Sequence, residues 1–132
     1  MEQYAILCVD DEKIILDSLK AQIKKHLGDS YIYEFAESPD EALEVLDELQ
    51  EDGITVQLVI SDWLMPHMRG DEFLIKVHEK FPSITKIMLT GQAEDEAVER
   101  VKRVAKLHRC VSKPWAEQEL LDAITTGLGI EL

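Results

Sequence analysis

Five short apolar runs rich in β-branched residues alternate with five longer amphipathic stretches, and this alternation restricts the fold more than any other feature. The first run is Tyr4 to Val9. Ile15, Leu19, Ile23 and Leu27 then recur every four residues, and Gly28 follows as a stop. Tyr31 to Ala36 is the second run. Ser38-Pro39-Asp40-Glu41 reads as a capping box with proline at the first helical position. The helix after it buries Ala42, Val45, Leu46 and Leu49 and ends at Gly53. Val56 to Ile60 is almost unbroken in apolar character, which suits a central strand covered on both faces. A loop with Pro66 and Gly70 leads to a helix carrying Phe73, Leu74, Val77 and Phe81, stopped by Pro82. Lys86 to Leu89 is the fourth strand. Glu94 to Leu107 is the fourth helix, with Val98, Val101, Val104 and Ala105 inward. Arg109 to Ser112 is a short fifth strand, and the last helix carries Leu120, Leu121, Ile124 and Leu128. Strict β-α alternation implies an α/β fold: a doubly wound, five-stranded parallel sheet with right-handed crossovers and helices on both faces.

The chain has 132 residues, 45% apolar and 31% charged, enough for one core and one domain over residues 1–132. No linker, repeat or low-complexity tract divides it. No run approaches the roughly 18 apolar residues of a membrane span, and Met1 to Val9 lacks the marks of a secretion signal. Cys8 and Cys110 have no metal spacing, so a reducing cytoplasm is the expected location. A net charge of −13 disfavours direct contact with nucleic acid or an anionic membrane surface.

In an open α/β sheet, ligands bind beyond the carboxyl ends of the strands, near the point where strand order reverses. The first strand ends on Asp10-Asp11-Glu12, the third on Ser61-Asp62, the fourth on Thr90-Gly91 and the fifth on Ser112-Lys113-Pro114. Parallel strands would bring all of these to one edge. Carboxylates gathered there repel one another and need counter-charge. Lys113 supplies part of it, and a magnesium ion, which prefers oxygen ligands, would supply more. Such a pocket suits a phosphoryl group, with a carboxylate as nucleophile, cation and ammonium on its equatorial oxygens, and Thr90 with the amides near Gly91 holding the product. Each segment alone has a plainer explanation: helix start, turn, strand end or loop. Their coincidence at four strand ends favours the phosphate site.

These residues resemble the receiver domain of two-component response regulators. The matching segments are Ile6 to Glu12, Val59 to Gly70, Ile87 to Gly91 and Val111 to Trp115, in order and at fitting spacing. The resemblance covers essentially the whole chain and implies a flavodoxin-like (βα)5 fold with strand order 2-1-3-4-5. It makes Asp62 the phosphoacceptor for a sensor histidine kinase or histidine phosphotransfer protein. It makes Asp11 and Asp62 direct magnesium ligands, joined by the main-chain carbonyl of Leu64, with Asp10 acting through water. Thr90 would bond the phosphoryl group, Lys113 would pair with it, and Pro114 would follow a cis peptide bond. The implied role is that of a phosphorylation-controlled switch acting on an output domain or downstream protein, not of a metabolic enzyme.

Two positions depart from that pattern. Receivers usually carry an aromatic residue three positions before the lysine, where this chain has Cys110, expected to be packed and inert. Leu64, two after Asp62, is apolar where many relatives are polar, and is expected to alter water access and phosphoryl lifetime. Arg100, Lys102, Arg103, Lys106 and Arg109 form a basic cluster. It reads either as a solvated helix face or, with the rest of residues 94–128, as a docking face for an output partner or a second copy in a homodimer. His26, His67, His78 and His108 read as surface residues. The segments Thr90-Gly91-Gln92-Ala93 and Lys113-Pro114-Trp115 resemble receivers joined to phosphodiesterase domains of the HD-GYP kind. Two other functions remain open. One is an aspartate-nucleophile phosphohydrolase, although Leu64 stands where such enzymes place a second acid. The other is a phosphorylation-independent interaction module.

Overall fold

The computed structural model describes residues 2–91 and 95–130. Elements alternate without exception: β1 (Gln3–Val9), α1 (Lys13–Leu27), β2 (Ile32–Ala36), α2 (Pro39–Glu51), β3 (Ile54–Asp62), α3 (Gly70–Lys80), β4 (Thr85–Thr90), α4 (Asp95–Ala105), β5 (Arg109–Ser112) and α5 (Glu117–Leu128). All pairings are parallel, and the strand order is β2-β1-β3-β4-β5. The fold is therefore the flavodoxin-like α/β arrangement that the alternation and the resemblance imply. Glu94, expected to open the fourth helix, and Gln92-Ala93 lie outside the described residues.

Period-2 alternation sorts the apolar strand residues onto two faces. Ala5, Leu7, Val9, Val59 and Met88 face α2, α3 and α4. Ile6, Cys8, Leu58, Ile60, Ile87 and Leu89 face α1 and α5. Both faces are covered, which is why β1, β3 and β4 read as continuous apolar runs. A register shift between Ala5 and Ile6 lets Gln57 fall out of the β1–β3 pairing.

Local signals hold at the helix ends. Ser38 caps α2, its side chain accepting from Glu41 N at 3.1 Å, with Pro39 in the first turn. The reciprocal bond runs from Glu37 N to the Glu41 carboxylate at 3.3 Å, one residue earlier than in a standard capping box. Gly28 and Gly53 take positive φ after α1 and α2.

The buried stripes shift in four helices. In α1, Leu16 is buried and Ile15 only partly. In α2, Val45 is partly buried, outside the stripe of Ala42, Leu46 and Leu49. α4 buries Ala97, Val101 and Ala105, a strict i, i+4 row, whereas Val104 is 43% exposed and Val98 partly buried. Small alanines set the phase of α4 because it lies close against α3. In α5, Leu121 and Leu128 are only partly buried, and Ala123 joins Leu120 and Ile124. Phe81 lies just past α3 as its cap residue, and Leu107 is buried but beyond α4.

Lys86 is an exception to apolar burial: it is almost fully buried and donates to Ile84 O at 2.7 Å. Burial, and then the nearby Lys106 charge, push its pKa down. The α4 phase has a direct check. Val101→Ala is expected to cost about 2 kcal/mol in denaturant unfolding and Val104→Ala less than about 0.5 kcal/mol.

Candidate functional site: an acidic pocket at the strand ends

Strand register builds the site. Val9 lies opposite Ser61, so Asp10 and Asp62 stand side by side where β1 and β3 end, flanking the point at which strand order reverses. The ladders run past the strands: Asp10 N bonds Ala36 O at 3.1 Å, Trp63 N bonds Leu89 O at 2.8 Å, and Lys113 N bonds Thr90 O at 2.6 Å. These bonds hold the bases of Asp10, Asp62, Thr90 and Lys113 at one edge.

The side chains converge. Asp10 is fully buried, its Oδ1 accepting from Glu12 N at 2.8 Å. Lys113 Nζ reaches Asp10 Oδ2 at 2.8 Å and Asp62 Oδ1 at 2.9 Å. Asp62 Oδ1 also accepts from Trp63 N at 3.0 Å. Asp11 is exposed at the rim, and one carboxylate oxygen each from Asp10, Asp11 and Asp62 lie within 4.8 Å of one another. Leu64, Met65, Pro66 and Gly91 complete an open cleft over Asp62, with the Leu64 side chain exposed. Thr90 is buried, and its hydroxyl accepts from the Cys110 thiol at 3.5 Å. The Lys113-Pro114 peptide is cis.

Burial and charge act against each other in the pocket. Burial pushes the Asp62 carboxyl above its ordinary value and Asp10 adds to the rise, while hydrogen bonds from Lys113 and Trp63 only partly oppose it. For Lys113, burial disfavours the ammonium, but the hydrogen bonds to Asp10 and Asp62 outweigh it and raise the pKa. Three carboxylates against one ammonium leave two negative charges uncompensated. The donor set, all hard oxygens with no thiol or imidazole among them, fits magnesium.

The structure thus brings together the side chains of Asp10, Asp11, Asp62 and Lys113, with Thr90 at the end of the neighbouring strand and Leu64 at the mouth. Cys8 lies in the core under α1 and α5, and Cys110 is half-buried against the cluster on the other face of the sheet. His67 is exposed as expected, but the other histidines are partly buried: His26 Nε2 and His78 Nδ1 are enclosed with no hydrogen-bond partner among the described residues, and His108 bonds Thr126 at 2.9 Å. Burial pushes the His78 pKa down, with Lys86 and Lys106 adding to the effect.

Two features escaped sequence reasoning. Gly70, legible only as a turn residue, presses α3 onto the acceptor strand: a Cβ there would stand 1.9 Å from Asp62 O. Asp71 is fully buried, bound by Arg69 at 3.1 and 3.0 Å, with Arg100 of α4 at 3.9 Å. An acid in the first turn of a helix reads as a dipole partner, and no local pattern signals its burial.

Comparison with known proteins agrees with this geometry. The family model described as response regulator receiver domain matches residues 6–125, so the chain belongs to that family. It is 29% identical over 123 residues to the hydrogenase transcriptional regulatory protein HoxA of Cupriavidus necator, spanning 93% of this chain but 24% of HoxA. It is 34% identical over 122 residues to the uncharacterized transcriptional regulatory protein YesN of Bacillus subtilis, spanning 92% of this chain and 31% of YesN. Among solved structures, the signal receiver domain of an HD domain-containing protein from Pseudomonas fluorescens superposes with a TM-score of 0.84 at 32% identity, covering 98% of this chain and 96% of that one. A CheY-like receiver domain protein from Methanospirillum hungatei gives 0.80 at 31% identity, covering 98% and 95%. The chain is therefore a signalling receiver of the two-component kind.

Gly70→Ala is expected to lower stability by about 3 kcal/mol, close to 10 °C in Tm, because the new methyl meets backbone. Asp62 carries a signed pH test. Its raised pKa means that stability falls as pH climbs from the ordinary carboxylate value through the raised one, and the deficit persists at neutral pH. In chelator at pH 7, Asp62→Asn should raise Tm, a gain that vanishes in acid, where both side chains are neutral. Calorimetry at several pH values reads it.

Proposed function

We propose that Asp62 accepts a phosphoryl group from a sensor histidine kinase or histidine phosphotransfer protein in a magnesium-dependent reaction, and that the acquired charge shifts the domain between two conformations. The observation that carries this reading is the bridging of Asp10 and Asp62 by one ammonium beside a third carboxylate. Asp62 Oδ1 is held by Trp63 N and Lys113, and no hydrogen bond among the described residues engages Oδ2. That oxygen is the nucleophile: its bond to phosphorus forms as the donor's P–N bond breaks. Lys113 then pairs with the phosphoryl oxygens, and Thr90 donates its hydroxyl to one of them. Asp10, Asp11, Asp62 and the Leu64 carbonyl would hold magnesium, which when bound neutralises charge developing on the phosphoryl oxygens.

The family match and the single sheet support reading residues 1–132 as one receiver domain. The chain spans about a quarter to a third of the two curated relatives named above, and control of an output domain or partner is proposed accordingly. Residues 94–128 are the proposed contact region, with a homodimer as the other use of that face. Among the described residues no helix is long and apolar enough to cross a membrane. Free Cys8 and Cys110 fit a reducing cytoplasm. The phosphohydrolase reading loses ground because exposed Leu64 offers no second acid.

Acetyl phosphate with magnesium is expected to give one phosphoryl adduct by intact-mass spectrometry. The adduct should be absent in Asp62→Ala and in chelator. No adduct at early times on folded protein would point instead to a phosphorylation-independent interaction module.

A further inference from the structure

We propose that the buried carboxylate of Asp71 and Arg100 of α4 are positioning residues that tie the loop after Asp62 to α4. The proposal rests on the phosphoacceptor reading of Asp62 and extends it to how occupancy of the pocket reaches a distant helix.

The tie begins at the acceptor. Trp63 N bonds the Asp62 carboxylate, and Trp63 O receives Gly70 N at 2.7 Å, closing the loop on itself. Gly70 also sits too close to Asp62 O to admit a side chain, so the start of α3 cannot shift without moving the acceptor backbone. Asp71 is the next residue. A fully buried carboxylate is costly unless paired, and breaking such a pair is strongly destabilising. Arg69 supplies the pairing in a two-bond fork, while its guanidinium lies 5.1 Å from the centre of the Trp63 ring. Trp63, Arg69 and Asp71 are thus linked to Asp62 by consecutive contacts.

Arg100 is the member that comes from outside. It reaches Asp71 Oδ2 at 3.9 Å and is half-exposed. Among the described residues this is the sole ion pair joining α4 to another element. A long, partly solvated ion pair is weak and easily remade, unlike the close fork of Arg69. Apolar packing joins α4 to the body of α3, and at the first turn of α3, next to the closed loop, the Arg100 pair is the loose contact. A ligand that fixes the loop should strengthen the loose contact, and by linkage α4 should affect ligand affinity by the same factor.

The test compares wild type, Arg100→Gln and Arg100→Lys, each confirmed folded by circular dichroism. Hydrogen exchange of residues 95–105 is followed with and without magnesium and beryllofluoride, and beryllofluoride affinity is measured in parallel. In wild type, binding should slow exchange in α4 about 3-fold or more. Arg100→Gln should still bind, about 3-fold more weakly, with the α4 response abolished. Arg100→Lys, which keeps the charge, should recover the response. A merely structural arginine would change stability and leave the ligand-dependent response intact. An α4 response in Arg100→Gln equal to wild type, or no α4 response in wild type that binds beryllofluoride, overturns the tie alone. Absence of beryllofluoride binding in wild type overturns the phosphoacceptor reading and the tie with it.

Discussion

Like charges held close together at the carboxyl edge of the sheet are the constraint to which the rest of the site answers. Parallel register leaves Asp10 and Asp62 adjacent, and Asp11 follows on the same turn. Asp10 is buried, so its charge needs compensation from protein groups. Lys113 is the counter-ion, delivered to the spot by the ladder bond from its own N–H to Thr90 O. Burial and the neighbouring Asp10 still leave the Asp62 carboxyl harder to ionise than in the unfolded chain. The pocket thus carries excess negative charge, which a group bringing positive charge would offset.

Much of this was legible in the sequence because it rests on local chemistry. Five apolar runs and five amphipathic stretches specify five strands and five helices, and Ser38-Pro39 marks the start of α2 through a cap that forms as read. The ends of the strands are where the acids, Thr90 and Lys113 appear, so convergence follows once the strands are parallel. Strand order itself came from resemblance, since alternation does not distinguish one parallel order from another.

What the sequence hid depends on packing between distant segments. Val104 looks as buried as Val101, yet Ala97, Val101 and Ala105 form the row that faces the core, because close approach favours small side chains. Lys86 carries the strongest polar signal of its strand and is nonetheless enclosed, its amine turned back onto Ile84 O. Asp71 looks like an ordinary first-turn acid. Its burial depends on Arg69 folding back two residues and on Arg100 arriving from another helix. Cys110 beside Thr90 replaces an aromatic ring with a small thiol, so the space next to the hydroxyl is filled differently from the usual receiver pattern.

The central claim is that the acidic cluster is a cation site whose occupancy relieves its own repulsion. Isothermal titration of magnesium into the chain, with Asp11→Asn alongside, tests it most directly. The account predicts one ion per wild-type chain and at least a 10-fold weaker affinity in Asp11→Asn. Magnesium binding of equal strength in the two proteins, or none in wild type, would contradict it.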